Sequence, residues 1–199
     1  MKRVPAIILS AGESKRMGFP KALLRIGKTT LLEDQMRRFK KAGCHPVVPV
    51  LGANAKTILN NAHGIRKNYV INRRWKLGQF SSVKSGLKSL KDISFGCFII
   101  PVDAALVPVK IIRKIARKSL KNRHQAIIPS YKGQLGHPVW ISQALIKKIR
   151  SEDAGKNRLD KIIRRQRDKL IIKTNTAAIL TNVNTPEKWK QAIINLSSP

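Results

Sequence analysis

Short, wholly apolar runs along this chain alternate with longer stretches in which apolar residues recur at helical spacing. The first run is Ile7-Ile8-Leu9. It is too short for a helix and unbroken by polar residues, as in a strand buried on both faces of a parallel sheet. Leu31, Leu32, Met36 and Phe39 follow at helical spacing; Thr30 with Glu33 three residues on forms a capping box, and Gly43 is a C-terminal stop. Residues 46–51 predict a second strand, 54–61 a short helix and 69–71 a third strand. Residues 95–102 predict a strongly apolar strand and 109–120 a helix. Residues 126–130 and 136–141 read as a hairpin-like pair, and 169–173 and 178–183 as the last strands. Thr185 then caps, and Pro186 starts, a final helix containing Trp189 and Ile193. Strands and helices that alternate every 20 to 30 residues or so predict an α/β sheet with right-handed crossovers.

Length and composition set the frame for that pattern. A chain of 199 residues, 42% of them hydrophobic, suits one domain over residues 1–199 with a sizeable core. No apolar run approaches the roughly 20 residues of a membrane span. The N-terminal apolar run reads as a first strand and not as a signal peptide, so a cytoplasmic protein with no membrane partner is expected. Cys44 and Cys97 stand in no CxxC pair, and His45, His63, His124 and His137 do not cluster, so both thiols are expected to be buried bystanders.

Charge changes the picture more. Lys and Arg total 41 against 10 Asp and Glu, a formal net charge of +31, and no carboxylate lies between Asp34 and Asp92. Such a field favours anionic ligands, phosphates above all. The cations are spread along the chain without interleaved aromatics, so nucleic acid is expected only as a non-specific ligand at low salt. A generally basic proteome, or a basic surface facing an acidic protein partner, accounts for the remainder.

The chemistry concentrates after the first strand. Ser10-Ala11-Gly12-Glu13-Ser14-Lys15-Arg16-Met17-Gly18-Phe19-Pro20-Lys21 is a polar loop with two glycines and three cations. Exposed backbone N–H groups and cations in such a loop suit a polyphosphate. Two commoner phosphate loops are excluded. A dinucleotide fingerprint fails because Ser14 stands where its second glycine belongs, and a Walker A loop ending at Gly27-Lys28-Thr29 fails at Ala22. Downstream, Asn72 to Leu87 puts Trp75 and Gly78 in a loop that leads into a helix capped by a Ser, a geometry that holds ligands at a helix N-terminus. Asp103 ends the strand over 95–102. In open α/β sheets that position faces ligands, and a carboxylate there calls for a cation such as Mg²⁺.

Taken together, L-S-A-G-x-S-x-R-M-G-x-P-K-x-L-L, N-x-x-W-x-x-G-x-x-x-S-V-x-x-G-L and G-H-P-V at 136–139 resemble the molybdenum cofactor cytidylyltransferase-like nucleotidyltransferases and their guanylyl relatives. The resemblance implies a Rossmann-like three-layer α/β/α fold with a mostly parallel sheet and a short antiparallel hairpin. It implies Mg²⁺-dependent transfer of a nucleoside monophosphate from a nucleoside triphosphate, CTP by preference, to a phosphorylated acceptor such as molybdopterin, with release of pyrophosphate. By the same resemblance Arg16 and Lys21 hold the phosphates, and Leu9, Ser10, Ala11, Gly12, Gly78 and Ser82 hold the nucleoside. Asp103 binds Mg²⁺ with help from Asn184, and His137 shapes the acceptor side. The chain departs from the family at three places. Ala105 stands where the family's D-x-P has proline, Asn182 and Asn184 replace acidic residues, and Arg158 lies one residue too far from Asp153-Ala154-Gly155. Alternatives are a guanylyl, sugar-phosphate or polyol-phosphate transferase, a basic nucleic-acid-binding protein, or a family member that binds nucleotide without turnover.

Overall fold

A computed structural model of the protein describes residues 3–65, 68–121 and 124–197. In chain order the elements are β1 (Ala6–Ser10), β2 (Arg25–Ile26), β3 (Thr29–Thr30), α1 (Leu31–Lys41), β4 (Val47–Leu51), α2 (Ala55–Asn61), β5 (Val70–Ile71), α3 (Gln79–Ser89), β6 (Cys97–Pro101) and α4 (Val109–Ser119). They continue with β7 (Ala126–Tyr131), β8 (Gln134–Leu135), β9 (Val139–Ile141), α5 (Gln143–Ser151), α6 (Leu159–Arg164), β10 (Lys169–Lys173) and α7 (Pro186–Ser197). The main sheet runs β10-β7-β9-β6-β1-β4-β5, with β8 hydrogen-bonded to β7. β1 pairs parallel with β4 and β6, β4 with β5, and β7 with β10; β8 and β9 run the other way. This is the expected mostly parallel α/β sheet with a short antiparallel component.

The layers follow from the strand periodicity. On β1, Ala6 and Ile8 join a core that includes α1, α4 and Ile58 of α2, while Ile7 and Leu9 join one that includes α3, α5 and α6. All five β1 residues are buried, as a central strand covered on both faces requires. α1 begins at the anticipated capping box: the Glu33 amide donates to Thr30 Oγ1 at 3.3 Å, and the Thr30 amide donates to Glu33 Oε2 at 2.9 Å. Gly86 lets α3 lie flat on the sheet, since a Cβ there would stand 2.7 Å from Ile7 Cγ2 and 2.8 Å from Val50 Cγ2. α4 buries Ile111, Ile112 and Ile115 and exposes Arg113, Lys114, Arg117 and Lys118, so part of the positive charge is a solvated helix face. Both cysteines are buried; burial pushes the Cys44 thiol up to about 12 and the Cys97 thiol well above its ordinary value. Among the described residues no helix is long and apolar enough to cross a membrane.

Three expectations are corrected. The segment anticipated as a strand over 178–183 contains a 3₁₀ turn, Ala177–Leu180, because Thr176 Oγ1 accepts from the Ala178 amide and turns the chain. No Ser caps α3: its N-cap is Gly78, at φ 93°, and Ser81 and Ser82 lie inside the first turn. The second strand of the hairpin-like pair is shorter than 136–141: β9 covers Val139–Ile141, pairing antiparallel with β7 and on its other edge with β6, while the anticipated connection carries a further short strand, β8. Helices α5 and α6 carry apolar stripes, Leu145-Ile146-Ile149 and Ile162-Ile163, that went unassigned in the sequence.

Candidate active site

The loop from Ser10 to Lys21 leaves β1 at the end where β4 and β6 also finish. Ser14 takes a left-handed conformation at φ 60°, the 3₁₀ turn Lys15–Met17 follows, and Gly18 reverses the chain at φ 66°. The Lys21 amide donates to Ser14 Oγ at 3.3 Å, closing the loop on itself. From outside, Asn54 Nδ2 donates to the Glu13 carbonyl at 3.2 Å and the Ala53 amide to the Ala11 carbonyl at 3.0 Å. Gly52 admits this contact, since a Cβ there would meet the Ala11 carbonyl oxygen at 2.5 Å.

This loop forms one wall of a cavity of about 330 Å³. Its lining includes Leu9, Ser10, Ala11, Gly12, Lys21, Gly78, Ser82 and Asp103, joined by Trp75, Lys76 and Gln79. Of the anticipated site residues, these eight are brought together. Ser82 is buried and held by a residue whose role sequence reasoning missed. Asn72 Nδ2 donates to Ser81 Oγ at 2.8 Å and to Ser82 Oγ at 3.0 Å, while its Oδ1 accepts from the Arg74 amide at 3.0 Å. Asn72 opens the very motif that contains Ser82, so its place at the head of N-x-x-W was the available signal.

At the cavity floor, Lys21 Nζ donates to Asp103 Oδ2 at 2.8 Å and to Asn184 Oδ1 at 2.6 Å. The side chains of Lys21 and Asp103 are only 13% and 22% exposed, so this contact is far less screened than a surface ion pair. The Val183 amide donates to the Asp103 carbonyl at 2.8 Å, which brings the segment before α7 beside the end of β6. Loss of the D-x-P proline therefore leaves Asp103 facing the cleft.

The remaining candidates stand apart. Arg16 is exposed on the 3₁₀ turn and does not line the cavity. His137 is half-buried and does not line the cavity. Its Nδ1 is buried without a hydrogen-bond partner, and burial holds its imidazole below the ordinary value, with the Asp103 charge pulling the other way. Asn182 is exposed, and its Nδ2 donates to the Leu180 carbonyl at 3.3 Å. The D-x-G-x-R segment does not assemble as a unit: Asp153 Oδ1 accepts from the Gly155 amide at 2.8 Å, while Arg158 pairs with Asp160.

A hard divalent cation suits this donor set. One carboxylate and one amide oxygen already converge on a single cationic atom, and Mg²⁺ characteristically takes one or two protein oxygens and fills its shell with phosphate and water. Among the described residues there is no group of three or more His, Cys, Asp or Glu side chains that would form an all-protein cage.

The chain is similar in sequence and in fold to several known proteins. Over 84 residues, 42% of its length, the chain is 42% identical to nicotine blue oxidoreductase of Paenarthrobacter nicotinovorans, a match that spans 41% of that relative. Over 191 residues, 95% of each chain, it is 25% identical to the molybdenum cofactor cytidylyltransferase of Escherichia coli. In structure it is similar to Rv0371c of Mycobacterium tuberculosis, with a TM-score of 0.82 at 20% identity over 97% of this chain and 99% of that one; Rv0371c has also been solved in complex with manganese. The model of the MobA-like NTP transferase domain matches residues 6–170, and the chain belongs to that family of nucleotidyltransferases.

Proposed function

We propose that the protein transfers a nucleoside monophosphate, CMP from CTP by preference, to a phosphorylated small-molecule acceptor of the molybdopterin type and releases pyrophosphate. The observation that carries this reading is Lys21 bridging Asp103 and Asn184 at the floor of a cavity whose wall is the glycine-containing loop. An acceptor phosphate oxygen would attack the α-phosphorus. The bond from that phosphorus to the bridging oxygen of the β-phosphate breaks, and its electron pair leaves with pyrophosphate. Such a transfer depends on positioning and charge, so no side-chain nucleophile is required.

Each residue then has a task. Leu9 to Gly12 offer backbone to the nucleoside, and Gly78 keeps the opposite loop close. Ser82, fixed by Asn72, presents its hydroxyl to the base or ribose. Lys21 exchanges Asp103 and Asn184 for the triphosphate, and Arg16, exposed on the turn outside the cavity, adds positive charge to the loop. Asp103 and Asn184 would hold Mg²⁺, which would supply charge neutralisation for the leaving pyrophosphate. His137 backs the acceptor side. The preference for CTP rests on Gly136-His137-Pro138 and on the full-length likeness to a cytidylyltransferase.

A thermal-shift panel of CTP, GTP, ATP and UTP with Mg²⁺ tests the nucleotide assignment. The largest shift is expected with CTP, and no response to any of the four would remove the reading. The identity to an oxidoreductase over 84 residues favours one second reading, a redox role on the same fold. Oxidation of NADH or NADPH by an aromatic acceptor, with no pyrophosphate release from CTP, would select it.

A further inference from the structure

We propose that Gln35, on the helix behind the sheet, is the positioning residue that fixes Asp103 and Asn184 for metal binding; this rests on the metal role given to Asp103 above. Gln35 sits within the apolar stripe of α1 and is 2% exposed. Its Nε2 carries two N–H bonds and faces three carbonyl oxygens: Pro101 at 3.3 Å, Val102 at 3.3 Å and Ala104 at 2.9 Å. The carbonyl between them, that of Asp103, accepts from the Val183 amide at 2.8 Å. Four consecutive carbonyls around the carboxylate are thus tied, three to α1 and one to the segment that carries Asn184. Both oxygens that meet Lys21 hang from the same clamp.

The other end of the Gln35 amide argues against simple packing. Its Oε1 is buried and has no hydrogen-bond partner. A Met or Leu of similar size would fill this space without burying an unpaired carbonyl, so volume does not explain a Gln here. What Gln adds is the pair of donors, and both are spent on the backbone that bears Asp103. Without them, the carbonyls of residues 102 and 104 face an apolar helix with no donor, that of Pro101 keeps only the Ala104 amide, and the turn past β6 loses its anchor to α1. Asp103 then no longer has one fixed approach to the point it shares with Asn184. Groups that orient a metal ligand in this way typically change metal affinity by about 10–100-fold when removed.

The test uses the full chain with Mn²⁺ as the probe metal, read by electron paramagnetic resonance in the presence of CTP, beside thermal unfolding and metal-free CTP binding. Gln35→Met is expected to fold with a lowered unfolding temperature, since the Val102 and Ala104 carbonyls lose their donor, an effect offset only in part by removal of the orphaned oxygen. Its metal-free CTP affinity should be unchanged, and its Mn²⁺ affinity about tenfold or more weaker. Gln35→Leu is the second variant, with the same expected pattern. Asp103→Asn provides the reference for loss of a ligand. If Asp103→Asn weakens Mn²⁺ binding and a folded Gln35→Met binds Mn²⁺ like the wild type, the positioning role is wrong while the metal assignment stands. If Asp103→Asn has no effect either, the metal reading beneath it falls. If neither Gln35 variant folds, Gln35 serves the fold as a whole and the proposal is overturned.

Discussion

One wall of the cleft comes from two contiguous stretches, Ser10 to Lys21 and Asn72 to Ser82, whereas its floor is gathered from Lys21, the end of β6 and the link before α7, with α1 behind it. The wall is organised by local geometry: Ser14 and Gly18 turn the loop, and Asn72 holds Ser82 only ten residues away. The floor depends on contacts far apart in the chain, among them Lys21 with Asn184, Gln35 with Ala104 and Val183 with Asp103. A site built this way separates two tasks. Under the proposed function the wall would bind nucleotide by itself, and the floor would decide whether bound nucleotide reacts. Mutations can break that division or sharpen it.

The largest effect is expected from Lys21, the residue that belongs to both regions. Lys21→Ala should lower the rate of pyrophosphate release by about 10²–10³-fold, on the scale of losing one donor to the transition state. An unchanged rate in the folded variant would take Lys21 out of the mechanism. Asp103→Asn touches the floor alone. It should move the Mg²⁺ dependence of turnover to concentrations at least tenfold higher or so, with little change in metal-free nucleotide binding. Superimposable Mg²⁺ titrations of the two proteins would deny Asp103 its role as ligand. Gly52→Ala touches the wall alone. Its Cβ would press on the Ala11 carbonyl, so a stability loss of about 1–3 kcal/mol and weaker CTP binding are expected, with the Mg²⁺ dependence preserved. Calorimetric unfolding together with CTP titration checks this, and full stability would show that the loop yields at no cost. The smallest effect lies outside both regions. Burial holds the Cys44 thiol up to about 12 and the Cys97 thiol above its ordinary value, so neither forms thiolate near pH 8. Iodoacetamide should leave the native protein unlabelled and active, and rapid labelling with loss of activity would contradict the burial.

The same division explains what could be read from the residues. The wall was legible because its signals are local: an apolar run, a loop with two glycines, and a motif with Trp75, Gly78 and Ser82 in order. Asp103 was legible from its place at the end of a buried strand. The α/β alternation and the capping box at Thr30 were legible for the same local reason. Gln35 was not, although it falls in phase with Leu31, Leu32, Met36 and Phe39, because no local pattern says which distant carbonyls a buried amide serves. Asn184 was anticipated as an oxygen donor, but its meeting with Lys21 across 163 residues was beyond any spacing argument. The turn at 177–180 was not legible because the short apolar run Ala178-Ile179-Leu180 looks strand-like, while the turn is set by the Thr176 hydroxyl. Arg16 and Lys21 were equivalent cations in the sequence; the 3₁₀ turn sends one to solvent and the next turn brings the other to the floor.

The central claim is that this floor joins a nucleotide to a phosphorylated acceptor. The most direct measurement incubates the protein with CTP, Mg²⁺ and a phosphorylated pterin, quantifies pyrophosphate and weighs the product by mass spectrometry. The account predicts pyrophosphate and a CMP-linked product in equal amounts, both lost with Lys21→Ala. Consumption of CTP without a CMP-linked product, or identical yields from the variant, would contradict it.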